Sequence, residues 1–125
     1  MSQLTPSNKI YMAKSSIDGA GRGVFARVNI HEGEIIEESP IVDLSNEDFG
    51  SLKETILINY YFSWGETYDQ VAVALGYGSL FNNSESPNAK FIKRFDRQLI
   101  EFVSIHEIEK DQEIFINYGD SENSK

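Results

Sequence analysis

The chain has 125 residues, 40% of them apolar and 25% charged, and carries a formal charge of −9 at pH 7. That length fits one domain with a real hydrophobic core. The acidic balance argues against nucleic acid as the main partner, since phosphate contacts need a basic face, and suits a basic protein partner. Cysteine is absent, so disulfides, Cys-based zinc sites and thiol nucleophiles are excluded.

Residues 1–8 are polar and read as a flexible N-terminus, 9–120 as the folded domain and 121–125 as a flexible tail. The opening stretch has no apolar h-region and no apolar run approaches a membrane span, so an intracellular protein without a membrane partner is expected. Ile10 to Ala13 forms a first short strand, followed by a glycine-rich turn from Asp18 to Gly23 and a strand over Val24 to Ala26. Asn29 to Gly33 turns again, and Glu34 to Val42 is extended. The adjacent Glu37 and Glu38 point to opposite faces of that strand and read as a solvated edge.

Ser45 to Asp48 resembles a capping box, and Phe49, Leu52, Ile56 and Tyr60 follow at helical spacing, interrupted by Gly50. Tyr60 to Trp64 and Tyr68 to Leu75 flank Gly65-Glu66 as a hairpin. Phe91, Lys93 and Phe95 alternate with Lys90, Ile92 and Arg94, and Asp96-Arg97 turns the chain into Gln98 to Ile105. Glu113 to Tyr118 (EIFINY) makes a last strand. Short strands at this turn frequency give a mostly-β domain whose topology propensity alone leaves open.

Common catalytic patterns are missing. His106-Glu107-Ile108-Glu109-Lys110 begins like HExxH, but Lys110 stands where the second His would be; His31 lies in a turn beside Glu32. There is no GxSxG, P-loop or GxGxxG. Chemistry is left to glycines, asparagines and tyrosines.

Three separated stretches carry a resemblance. Gly21-Arg22-Gly23-Val24-Phe25-Ala26 with Gly33-Glu34, Leu80-Phe81-Asn82-Asn83-Ser84 through Pro87-Asn88-Ala89, and Glu113 through Tyr118-Gly119 stand in one order. Together they resemble the GxGxFA, FxNHS…PNA and GEEIxxxYG motifs of the SET-domain family of protein-lysine methyltransferases, most like its short stand-alone viral and bacterial members. The resemblance implies a SET fold of several small sheets with short helices and a knot-like C-terminal crossing, an exception to unthreaded connections. It implies methyl transfer from S-adenosylmethionine to a lysine ε-amine in a basic protein or peptide such as a histone tail, leaving S-adenosylhomocysteine. The competing expectation is a weak or inactive module that binds a basic peptide.

By the same resemblance Gly21, Arg22 and Gly23 present backbone to the cofactor, Asn82 bonds it through its amide, and Asn83 stands where the family usually has His. Tyr118 matches the catalytic tyrosine. Tyr60 is a second candidate for the lysine channel, or an ordinary core aromatic. Ile116 stands where many relatives carry Phe or Tyr; without a hydroxyl there, more than one methyl can be added. A second subunit covering the channel, as a homodimer, is a further expectation.

Overall fold

The computed structural model describes residues 3–65 and 70–119. The expectation for the tail 121–125, and the turn of the hairpin after Gly65, lie outside the described residues. Three small sheets make up the fold. β1 (Ile10–Lys14) pairs antiparallel with β2 (Arg22–Ala26), with Ile10 opposite Ala26. A five-stranded sheet runs in the order β4-β5-β3-β8-β7, where β3 is Ile35–Leu44, β4 Tyr61–Trp64, β5 Gln70–Ala74, β7 Ala89–Arg94 and β8 Leu99–Ser104. The two-residue strands β6 (Asn82–Asn83) and β9 (Phe115–Ile116) pair in parallel.

Both predicted hairpins form. Trp64 faces Gln70 across β4 and β5, and Arg94 faces Leu99 across β7 and β8. The helical stretch after Ser45 is broken in two. Ser45 caps α1 (Asn46–Leu52) by accepting from the Asp48 amide, and a separate 3₁₀ turn covers Ile56–Asn59 with Thr55 as its cap. The break falls at Lys53 to Thr55, where Thr55 takes an extended cap conformation, and not at Gly50, which lies within α1. EIFINY is strand only over Phe115–Ile116, because its ladder partner β6 has two residues and its contact with β2 is an isolated bridge between Phe25 and Glu113.

The glutamate pair departs further from expectation. Glu37 is buried, not a solvated edge: its carboxylate accepts from Ser39 Oγ at 2.7 Å and from the Tyr77 amide at 2.9 Å. Glu38 faces outward and pairs with Arg97. Opposite faces of the strand were expected; a lined interior for one of them was not.

The five-stranded sheet curls until its two edge strands face one another. Phe62 of β4 meets Phe91 of β7 with centroids 5.3 Å apart, Trp64 meets Phe95 at 4.9 Å, and Lys93 Nζ donates to Ser63 Oγ at 2.9 Å. Side chains, not backbone ladders, join these edges. Inside the curl Phe91, Phe102, Ile100, Ile36 and Ile116 are fully buried, each contributing roughly 1.5–3 kcal/mol of burial free energy.

The C-terminal segment crosses this framework. On one side the Ile114 amide donates to the Val24 carbonyl and the Ala26 amide to that of Gln112. On the other, the Ser84 amide donates to the Ile116 carbonyl, and the Asn88 side chain bonds both the Glu113 carbonyl and the Phe115 amide. Residues 113–116 are thus held between β2 and the 82–88 loop.

Candidate active site

The turn before β2 and the two ends of the crossing meet at one carboxylate. Glu113 is buried, and its oxygens accept from Ser15 Oγ, from the Ser16 amide and Oγ, and from Asn82 Nδ2. Burial alone would push this carboxyl up, but the donors from Ser16, Asn82 and Ser15 outweigh it and hold the group below its ordinary value. Gly23 lies directly against it: a Cβ there would overlap Glu113 Oε2 and stand 2.9 Å from Asn82 Nδ2. Gly21 differs, with φ of +78° and open space around it, so its need is conformational.

Asn82 uses its amide nitrogen on the Arg22 carbonyl, at 3.0 Å, and on Glu113, at 2.9 Å. Its side-chain oxygen is the group left to accept from a ligand. Asn83 turns its side chain the other way along the chain: Oδ1 accepts from the Tyr118 amide at 2.8 Å. Each asparagine is committed to a different wall of one site.

Tyr118 Oη donates to the Phe81 carbonyl at 2.7 Å, and its ring packs near Phe62 (5.7 Å) and Phe91 (6.2 Å). Burial, and then Tyr60, raise its pKa far above the ordinary phenol value. At neutral pH the hydroxyl is therefore neutral, a hydrogen-bonding group and not a base. The Tyr60 carbonyl is held by Ser79 Oγ at 3.2 Å.

A cavity of about 540 Å³ collects these groups, lined by Ala20, Arg22, Tyr60, Asn82, Asn83 and Tyr118 with others. A second cavity of about 210 Å³ shares Tyr61, Phe62 and Tyr118 with the first and is completed by Ser63, Phe91 and Lys93. Of the site residues expected from sequence, Arg22, Tyr60, Asn82, Asn83 and Tyr118 come together on the larger cavity. Gly21 and Gly23 flank Arg22 behind it, and Ile116 is fully buried in the core and lines neither cavity.

Sequence reasoning missed Glu113 and Lys93. Each had a signal: Glu113 stands at the head of the apolar run Ile114-Phe115-Ile116, and Lys93 alternates in phase with Phe91 and Phe95 on an inward face. Among the described residues no cluster of His, Asp and Glu could hold a metal, and no helix is long and apolar enough to cross a membrane. His31 and His106 are exposed, His31 in a surface pair with Glu107.

Comparison with known proteins gives one answer. The SET domain family model matches residues 21–119. A histone-lysine N-methyltransferase of Schizosaccharomyces pombe, specific for H3 lysine-37, is 36% identical over 101 residues, covering 80% of this chain and 67% of that protein. A Plasmodium falciparum protein solved as a candidate histone methyltransferase matches with TM-score 0.69 and 34% identity, over 94% of this chain and 97% of that one. The Polycomb Repressive Complex 2 of Chaetomium thermophilum matches with TM-score 0.73 and 25% identity, over 93% of this chain but only 16% of that one. The three motifs, their convergence on one cavity and these likenesses agree: the chain belongs to the SET-domain family of protein-lysine methyltransferases.

Proposed function

We propose that the chain methylates lysine in a basic protein segment, with histone tails as the substrate class, and that the 540 Å³ cavity receives S-adenosylmethionine. The observation that carries this reading is the meeting of all three motif segments on that cavity. Its volume lies in the range of pockets for small ligands, about 300–1,000 Å³. Its polar groups suit the cofactor: the Asn82 side-chain oxygen would accept from the amino group, and backbone near Arg22 and Asn83 would border the rest. When bound, the cofactor supplies an electrophilic methyl on a cationic sulfur.

The smaller cavity is the acceptor side in this reading, with Tyr118 and Phe62 standing between the two. A free lysine has a pKa near 10.4, so making it neutral at pH 7.4 costs about 4 kcal/mol. Aromatic walls desolvate the amine and a nearby cation repels its charged form, both lowering that cost. Tyr118, kept neutral and tied to the Phe81 carbonyl, orients the amine. Positioning and electrostatics carry the rate without a strong base.

The feature that favours the peptide-binding alternative is Asn83, standing where the family usually has His. The hydrogen bond from the Tyr118 amide to Asn83 Oδ1 gives that residue a use at an intact site, which favours the enzyme. Calorimetry of S-adenosylmethionine binding tests the reading. Saturable binding weakened about tenfold by Asn82→Ala is expected, together with roughly 10²-fold slower methylation of a histone-tail peptide by Tyr118→Phe. Absence of binding up to millimolar cofactor would overturn it.

A further inference from the structure

Lys93 is a nucleophile that the reaction above does not use. The alternation of β7 puts it on the same inward face as Phe91, and its ammonium sits 5.9 Å from the centre of that ring. The Phe91 ring in turn lies 6.2 Å from that of Tyr118. Ser63 on the opposite edge strand accepts from Lys93 Nζ at 2.9 Å, so the amine spans the small cavity from one wall to the other. Three of that cavity's walls, Tyr61, Phe62 and Tyr118, are also walls of the larger one.

We propose that Lys93 is a methylation site of this protein's own active centre: without a protein substrate, its amine turns from Ser63 toward Tyr118 and takes the methyl group in place. The proposal rests on the assignment of the small cavity as the acceptor side. In the transfer a bond forms between Lys93 Nζ and the methyl carbon. The carbon–sulfur bond breaks with its electron pair left on sulfur, giving the neutral thioether S-adenosylhomocysteine, and the ammonium proton goes to solvent before attack. Burial supports the chemistry by lowering the Lys93 pKa to about 8. A lysine titrating there is about half neutral at pH 8, against roughly 0.4% for an ordinary one. Methylation keeps the positive charge of the ammonium, so the cation–π contact with Phe91 remains open to a methylated Lys93.

The test incubates the whole protein with S-adenosylmethionine alone, maps methyl groups by peptide mass spectrometry, and runs a histone-tail peptide in parallel. The expected result is a methyl on Lys93, with a rate per molecule independent of protein concentration and lost in Lys93→Arg. A second readout needs no turnover: the Lys93 side-chain NMR signal, assigned by its loss in Lys93→Arg, shifts when S-adenosylhomocysteine is added. Methylation of the histone peptide with Lys93 unmodified after exhaustive reaction would overturn this proposal and leave the site reading standing. A Lys93 rate that grows with protein concentration, or a Lys93 signal indifferent to the product, would overturn transfer in place. No methyl on either acceptor would sink the proposal and the site reading together.

Discussion

The Asn83 side chain accepts one hydrogen bond, from the Tyr118 backbone amide, and that bond decides what its substitution should do. Asn83→Ala removes the acceptor of an exposed hydrogen bond from the Tyr118 amide, a loss of at most about 1 kcal/mol. The expected outcome is a kcat lowered several-fold with S-adenosylmethionine affinity changed less than twofold, and recovery in Asn83→Asp, which keeps the acceptor. A fall in cofactor affinity at unchanged kcat would place the side chain on the ligand. Gly23 shows how far the residue scale was legible. A glycine between Arg22 and Val24 announces a close approach, but the sequence does not say to what. The neighbour is Glu113, remote in the chain, and the carboxylate lies where a Cβ would go.

Elements were legible where their patterns are local. Alternation exposed the β7–β8 hairpin with its turn at Asp96-Arg97, and the Ser45 cap exposed the start of α1. The reach of EIFINY was not, because its partners are the remote Val24 and Asn82–Asn88 segments and pairing of that kind leaves no periodicity. Nor was the role of β3 in holding the loop that leads to the site. There Ser39 is fully buried, a Cβ on Gly78 would overlap its hydroxyl, and the Glu37 carboxylate accepts from both Ser39 Oγ and the Tyr77 amide.

Burial raises the Glu37 pKa, and the bonds from Ser39 and Tyr77 only partly offset it. A carboxyl raised in the folded state binds its proton more readily there than in the unfolded chain. Its ionisation therefore costs stability at neutral pH, and the cost fades as pH falls through its raised value toward the ordinary 4.5. Glu37→Gln keeps the shape and the acceptor oxygen. It should raise the melting temperature by a few degrees at pH 7.5, with a gain that shrinks by pH 5. A variant equally or less stable than the parent at pH 7.5 would refute the buried-charge account.

At the scale of the whole molecule, the charge of −9 acts on approach more than on the bound geometry. A basic peptide is drawn in by the summed field, and salt shortens its reach from about 30 Å at 0.01 M to about 10 Å at 0.1 M. KM for a histone-tail peptide should therefore rise several-fold between about 0.05 M and about 0.5 M salt, with kcat nearly constant. A salt-independent KM would mean that local contacts alone select the substrate.

Residues 113–116 lie between β2 and the 82–88 loop, and the walls of the larger cavity include Asn82, Asn83 and Tyr118. Its walls therefore come from both strands of the crossing, and no partly assembled chain possesses the pocket. A ligand for it meets only finished molecules. Such a ligand lengthens the lifetime of the native state and has nothing to grip on the way there. In time as well as in space, the cavity comes last.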